Sequence, residues 1–77
     1  MTERDLLKCV EELNELSTIL LQQYNKPHRD LKDEIIEELG DVKWRLQKVI
    51  DHYGKKEVNR RVEFKKTKNL LNKFNPQ

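Results

Sequence analysis

The acidic residues best placed to do chemistry occur as two close pairs, Glu12 with Glu15 and Glu38 with Asp41. Residues three apart are neighbours on a helix surface, so each pair would present two carboxylates one turn apart. Four carboxylates that converge beside an apolar seam repel one another, and a divalent cation relieves that repulsion. Mg²⁺ takes carboxylate oxygens as ligands and completes its coordination with water and phosphate. The spacing therefore favours a magnesium site, with Mn²⁺ as an alternative ion.

A solvated helix face is the competing interpretation of the same residues. The chain has fourteen Asp and Glu among 77 residues, and such pairs also arise by chance. Two features favour the metal site: both pairs border apolar positions, and Gly40 lies inside the second pair. A glycine within a helix costs about 1 kcal/mol relative to alanine, which predicts a close approach by a neighbouring helix or a ligand. The residue pattern alone leaves both interpretations open.

An apolar stripe predicts a first helix from about residue 3 to residue 24. Thr2 and Asp5 have the form of a capping box, in which side chains satisfy free amides at the start of a helix. Pro27 ends the helix, since proline disfavours helical geometry in the residue before it. The stripe has steps of three or four residues and consists of Leu6, Val10, Leu13, Leu16, Leu20 and Tyr24.

A heptad pattern predicts a second helix between a cap at Asp30 and a stop at Gly54. A short loop between the two helices favours an antiparallel hairpin, whose acidic edges would then face each other. The heptad positions are Ile35, Leu39, Val42, Leu46, Val49 and Tyr53.

A third helix is predicted from about residue 57 to residue 74, ended by Asn75-Pro76. Its apolar stripe is weak, which favours either partial packing on a partner chain or fraying of the helix. Only 35% of the residues are hydrophobic and 39% are charged, so one short chain has little material for a core of its own. We therefore expect a single all-α domain over residues 1–77. It would be an antiparallel helical hairpin plus a third helix, assembling into a helical bundle as a homodimer or homotetramer.

The composition also bounds the class of protein. Cys9 is the single cysteine, which excludes an intrachain disulfide, and its apolar neighbours predict a buried thiol. No apolar run is long enough to span a membrane and no secretion signal is recognisable, so we expect a cytoplasmic protein with no membrane partner.

Charge divides the chain into two halves of opposite sign. Residues 1–42 hold five Lys and Arg against eleven Asp and Glu, and residues 43–77 hold eleven against three. Such asymmetry is a pointer towards phosphate, nucleic-acid or membrane partners.

The segments Glu11-Glu12-Leu13-Asn14-Glu15-Leu16 and Glu37-Glu38-Leu39-Gly40-Asp41-Val42 resemble the MazG-like all-α nucleotide pyrophosphohydrolases. That superfamily has an E-x-x-E pair on one helix and an E-x-x-D pair on the next, and the resemblance covers about residues 5–55. It implies that Glu12, Glu15, Glu38 and Asp41 coordinate Mg²⁺. It also implies an enzyme that cleaves a nucleoside triphosphate to the monophosphate and pyrophosphate.

The resemblance also suggests roles for other residues. Glu11, or a coordinating residue such as Glu12 or Glu38, would orient or deprotonate the attacking water, and the sequence does not decide which. The superfamily places basic and Asn residues for phosphates on its next helix, which makes Asn59 and Lys65 candidates here. Trp44 projects away from the seam of the second helix, where it would serve an interface or stack on a nucleobase.

The sequence keeps two other functions open. One is a non-catalytic helical interaction module, associated with nucleic acid through the basic half. It is the less favoured, because the chain has no recognisable DNA-binding motif and its five aromatics are dispersed. The other is a member of the MazG-like superfamily that has lost activity and kept the bundle.

Overall fold

Three α-helices make up almost all of residues 1–74, the part of the chain that the computed structural model describes. They are α1 (Glu3–Asn25), α2 (Lys32–Tyr53) and α3 (Lys55–Phe74), and no strand occurs among the described residues. The prediction of an all-α chain is confirmed, and the predicted bounds differ from the observed ones by two residues or fewer. The predicted stop at Asn75-Pro76 lies outside the described residues.

A reciprocal pair of hydrogen bonds starts α1, as the capping-box pattern predicts. The backbone N–H of Asp5 donates to Thr2 Oγ1 at 3.2 Å, and the backbone N–H of Thr2 donates to Asp5 Oδ2 at 2.8 Å. The bond from the Thr2 N–H, with a second from the Thr2 hydroxyl to Asp5 Oδ2 at 3.1 Å, favours the charged carboxylate and lowers the pKa of Asp5. The first turn of α1 is therefore held by its own sequence.

The loop between α1 and α2 is held by Gln23, which the sequence did not single out. Its side-chain amide donates to the Arg29 carbonyl at 2.7 Å, and its Oε1 accepts from the backbone N–H of Leu31 at 3.1 Å. The N-cap of α2 is Leu31, which is buried, and not Asp30 as predicted. Asp30 still contributes, because its Oδ1 accepts from the backbone N–H of Lys32 at 3.1 Å.

Gly54 joins α2 to α3 with a φ of +131°, which L side chains rarely adopt. This single residue redirects the chain, and α3 starts at the next residue. The described part of α3 contacts α2 sparsely and does not contact α1. The molecule measures 39 × 36 × 17 Å, and its two long dimensions show that α3 projects away from the α1–α2 hairpin.

The α1–α2 hairpin packs through a narrow strip with Cys9 and Val42 at its centre. Both are about 5% exposed, and the predicted burial of the Cys9 thiol is confirmed. Beside them, α1 directs Glu12, Leu16 and Ile19 towards α2. A small cysteine at the crossing lets the two backbones approach each other.

The predicted apolar stripe of α1 does not form this seam. Of its six residues only Leu16 is half-buried, and the others are exposed. At about 100° per residue, the stripe lies roughly a quarter turn from the strip that contacts α2. Helical periodicity puts exposed Ile36 and Leu39 of α2 on the same side of the hairpin. The hairpin thus has an apolar face, which we define as Leu6, Val10, Leu13, Leu20, Tyr24, Ile36 and Leu39.

Neither the described part of α3 nor the hairpin contains a helix that is long and apolar enough to cross a membrane.

Alanine at the two glycines should change stability in opposite directions. Gly54→Ala should lower it by about 1–3 kcal/mol, because the positive φ strains any side chain there. Gly40→Ala should raise it by about 0.5–1 kcal/mol, because a Cβ at residue 40 would meet no atom within 4 Å. Thermal unfolding of the two variants beside the unmodified protein measures both effects. A gain of stability from Gly54→Ala would contradict the conformation at the junction.

Candidate metal centre

Three of the four predicted ligand carboxylates come together between α1 and α2. Glu12 and Glu15 project from successive turns of α1, and Glu38 projects from α2 opposite them. One oxygen of each residue lies within 4.8 Å of an oxygen of each of the other two. We call these three residues the carboxylate cluster. The antiparallel hairpin brings them together, as the sequence predicted for its acidic edges.

Two oxygens of the cluster lack a hydrogen-bond partner although they are shielded from solvent. They are Glu12 Oε2 and Glu38 Oε2, and both residues are half-buried while Glu15 is exposed. An unpaired oxygen of this kind costs free energy, because burial removes water without supplying a replacement donor. A cation or a hydrogen-bond donor at this position would lower that free-energy cost.

Loss of solvent and mutual repulsion change the acidity of the cluster. Burial, followed by the charges of Glu15 and Asp41, raises the pKa of Glu12 above its ordinary value. Burial, followed by the charges of Glu15 and Glu12, raises the pKa of Glu38. A bound cation would reverse both effects, because it favours the charged carboxylates.

Asp41, the fourth predicted ligand, lies at the edge of the cluster. It is exposed and its oxygens are not among the mutually close set, yet its charge helps to raise the pKa of both Glu12 and Glu38. The opposing charge comes from Arg45, which acts to lower the pKa of Glu12. Asp41 is therefore close enough to change the acidity of Glu12 and Glu38 without being part of the cluster.

A shallow groove of about 340 Å³ opens beside the cluster. Glu15 and Glu38 form part of its wall, and α1 supplies the remaining residues, which are Asn14, Thr18, Ile19 and Gln22. These contributions to the groove were not predicted. The sequence does contain a pattern that indicates them, because Asn14, Thr18 and Gln22 follow one another at steps of four and so share one side of α1. They place neutral polar side chains along the groove beside the carboxylates.

Two other predicted site residues on the hairpin point elsewhere. Glu11 is exposed, forms an ion pair with Lys8 at 3.1 Å, and is not part of the carboxylate cluster. Trp44 is 58% exposed and lines a second shallow depression together with Gly40. The neighbour that Gly40 was expected to meet is not supplied by the described part of the chain.

Cations cover the Trp44 ring. The Lys48 ammonium lies 4.3 Å from the ring centroid and the Arg45 guanidinium carbon lies 4.7 Å from it. These contacts compete with any nucleobase for the ring faces, because a base would have to displace a cation–π pair. Both roles predicted for Trp44 stay predictions.

The structure does not bring Asn59 and Lys65 to the carboxylate cluster of their own chain. Both are exposed on α3, and the described residues of α3 make no contact with α1. Asn59 instead lines a groove with other residues of α3, namely Lys56, Arg60 and Glu63. Asn59 and Lys65 lie on the third helix, as predicted. The backbone conformation at Gly54 determines the direction of that helix.

The raised pKa of Glu12 and Glu38 predicts an unusual pH dependence for the metal-free protein. A carboxyl whose pKa is higher in the folded than in the unfolded state adds stability at low pH and loses it as the pH rises. The melting temperature should therefore increase as the pH falls from neutral towards the ordinary value of 4.5. The melting temperature of the variant Glu12→Gln/Glu38→Gln should depend less on pH. The same pH dependence in the variant and the unmodified protein would contradict the raised pKa of Glu12 and Glu38.

Comparison with known proteins yields no relative: no family model, curated protein or solved structure matches this chain. The residues and their geometry therefore carry the functional conclusion.

Proposed function

We propose that this protein is a Mg²⁺-dependent nucleoside triphosphate pyrophosphohydrolase of MazG-like type. The observation that carries the proposal is the pair of shielded, unpartnered oxygens on Glu12 and Glu38, which face each other across the hairpin beside Glu15. These residues are the ones that the MazG-like motif assigns to the metal. A solvated acidic face would leave its oxygens hydrated instead of shielded.

The carboxylate cluster fits a hard divalent cation. Oxygens bound to one Mg²⁺ at about 2.1 Å lie no more than about 4.2 Å apart. The oxygens of the cluster lie within 4.8 Å of one another, so small side-chain rotations would suffice. Glu12, Glu15 and Glu38 would hold the ion, with Asp41 as a fourth ligand after a change of rotamer. Mn²⁺ has the same preference for oxygen and is an alternative.

The chain supplies further groups that the hydrolysis of a phosphoanhydride bond would use. A bound Mg²⁺ neutralises phosphate charge and lowers the pKa of a water ligand. Asn14, Thr18 and Gln22 offer hydrogen-bonding groups along the adjacent groove, where they can orient a substrate. A carboxylate of the cluster with a free oxygen is the best-placed base, because Glu11 is paired with Lys8. Cleavage between the α- and β-phosphates would release a nucleoside monophosphate and pyrophosphate.

Assembly into a homodimer or homotetramer is part of the proposal. The apolar face lies on the opposite side of the hairpin from the carboxylate cluster, so a second copy could cover it without blocking the groove. Exposed contiguous apolar surface usually marks an interaction site. Two such faces packed together would complete a four-helix core, which matches the bundle expected from the sequence.

Pyrophosphate release is the direct test. Purified protein is incubated with standard and base-modified nucleoside triphosphates, with Mg²⁺, with Mn²⁺ and with a chelator. We expect release from at least one triphosphate with either metal and none with the chelator. Mg²⁺ should also raise the melting temperature, because a ligand that binds only the folded state stabilises it.

The competing functions give different results in the same assay. An inactive member of the superfamily would be stabilised by Mg²⁺ but would release no pyrophosphate. A helical interaction module would neither be stabilised by Mg²⁺ nor release pyrophosphate. Indifference to Mg²⁺ in both the activity and the melting temperature would overturn the proposal.

A further inference from the structure

The helix α3 carries a large excess of positive charge and lies apart from the α1–α2 hairpin. Lys55–Phe74 contains eight Lys and Arg and two acids, whereas residues 1–53 contain eight Lys and Arg and twelve acids. The described part of α3 contacts α2 sparsely and does not contact α1. The fold therefore separates a basic helix from an acidic hairpin.

The cations of α3 are accessible to a partner. From residue 55 to residue 73 every residue except Val58 is exposed. Of the eight cations, Lys66 alone forms an ion pair within the described residues, with Glu63 at 3.3 Å. Arg61 lies over the ring of Phe64, with its guanidinium carbon 4.9 Å from the ring centroid. The charge of α3 is thus left largely uncompensated by its own chain.

These cations surround the axis of α3 instead of forming one basic face. At about 100° per residue they fall into three rows roughly 120° apart. The rows are Arg61, Lys65 and Lys68; Lys55, Lys66 and Lys73; and Lys56 with Arg60. A flat partner surface would contact one row, whereas a partner that encloses the helix would contact two or more.

The major groove of duplex DNA is such an enclosing polyanion. It is about 12 Å wide, and it admits an α-helix of about 10–12 Å diameter with phosphates along both walls. At about 1.5 Å per residue, the 20 residues of α3 span about 30 Å, close to one turn of the duplex. Rows of cations about 120° apart would reach the phosphates of both strands.

Other polyanions fit α3 less well. A helix that lies on a membrane needs one apolar face, but Val62, Phe64 and Leu70 lie at least about 80° apart around the axis. Single-stranded nucleic acids are held by several stacking aromatics, and α3 has only Phe64 and Phe74. The major groove of duplex RNA is deep and narrow, which excludes a helix.

We propose that α3 binds duplex DNA by lying in the major groove, with its Lys and Arg side chains on the phosphates of both strands. The twelve acids of residues 1–53 repel phosphates, so the direction of α3 keeps the hairpin off the duplex. Phosphate contacts carry no sequence information, and the chain has no recognisable motif for reading bases. The inference uses no residue of the carboxylate cluster and is independent of the proposed enzymatic activity.

Fluorescence anisotropy with the whole protein and two labelled duplexes of unrelated sequence tests the binding. We expect similar affinity for both duplexes. The logarithm of the association constant should fall with the logarithm of salt concentration at a slope of about −4 to −7, since roughly five to eight cations would release counterions. Absence of binding at low salt, or an affinity that does not depend on salt, would overturn the proposal.

A triple variant of α3 tests which cations are responsible. Arg60, Lys65 and Lys68 make no ion pair or ring contact within the described residues, and glutamine has a similar helix propensity. Arg60→Gln/Lys65→Gln/Lys68→Gln should weaken binding at least tenfold at about 0.1 M salt and reduce the slope by about 2–3. Circular dichroism checks that the helices remain.

The matched control removes three cations from the other end of the hairpin, namely Lys26→Gln/Arg29→Gln/Lys32→Gln. These residues are exposed and lie about 30 Å along α2 from the start of α3, beyond the range of screened charges. The control should bind DNA within about twofold of the unmodified protein. Equal losses in the two triple variants would overturn the assignment to α3.

Competition identifies the kind of polyanion. Unlabelled duplex DNA, duplex RNA of the same sequence and vesicles containing phosphatidylserine are compared at equal phosphate concentration. DNA should displace the labelled duplex at least about fivefold better than either alternative. RNA that competes as well as DNA would refute docking in the major groove. Vesicles that compete as well as DNA would identify a membrane surface as the partner instead.

The two proposals fail in distinguishable ways. A protein that binds DNA through α3 but releases no pyrophosphate refutes the enzymatic function and keeps the DNA-binding role. A protein that releases pyrophosphate but does not bind DNA refutes the role of α3 and keeps the enzymatic function.

Discussion

Glu38→Gln should lower pyrophosphate release by about a hundredfold or more, since even outer partners of a metal site contribute about 10–100-fold. Glu38 lies across the hairpin from Glu12 and Glu15 and is the one cluster residue on α2, so the proposed ion would join the two helices through it. The neutral amide keeps the shape of the side chain but lacks the charge that holds a hard cation.

Thermal unfolding of the same variant separates a ligand role from a structural one. Without metal, Glu38→Gln should melt at a higher temperature than the unmodified protein at neutral pH, because it removes a charge from a repulsive, partly dehydrated cluster. With Mg²⁺ the difference in melting temperature should shrink or change sign, because only the unmodified protein retains all the proposed metal ligands. Glu37→Gln is the matched control, since Glu37 is the exposed neighbour outside the cluster. Equal activity losses in the two variants would refute a specific role for Glu38.

Leu13→Gln should weaken self-association by about 30-fold, which corresponds to about 2 kcal/mol for a buried interface residue. Leu13 lies near the middle of the apolar face of α1 and is 41% exposed in the single chain. A two-fold interface uses the same residue from both copies, so one substitution changes the interface at two positions. Sedimentation over a range of protein concentrations measures the change in dissociation constant.

Leu7→Gln is the control for this experiment. Leu7 has the same chemistry and is 57% exposed, but it lies about 100° around α1 from the apolar face. We expect its self-association to match that of the unmodified protein. If Leu7→Gln dissociated the oligomer and Leu13→Gln did not, the interface would lie on another side of the hairpin.

Local chemistry made the helices and their ends predictable. The capping box of Thr2 and Asp5, the break before Pro27 and the stop at Gly54 act within a few residues, and the structure contains all three. The approach of Glu12 and Glu15 to Glu38 was predictable for a related reason. A short loop permits only an antiparallel hairpin, and helical spacing then determines which side chains meet.

The choice among helix faces was not predictable in the same way. The stripe that includes Leu13 identifies a surface that needs burial, but it does not specify which neighbour provides the burial. In the single chain α2 contacts the adjacent strip around Cys9 instead, and the stripe is left for another partner. The role of Gln23 was not predictable, because its hydrogen bonds to Arg29 and Leu31 form only when the loop between α1 and α2 has closed.

The three helices, the capping box of α1, the stop at Gly54 and the two acidic pairs depend on contacts within one or two turns, so they were predictable from the sequence. The packing of α1 on α2 determines that Glu12, Glu15 and Glu38 share a partly dehydrated cluster while Asp41 lies at its edge. The helix α3 turns away from that cluster. Burial and direction depend on how whole helices cross, and a single backbone angle at Gly54 redirects the twenty residues of α3.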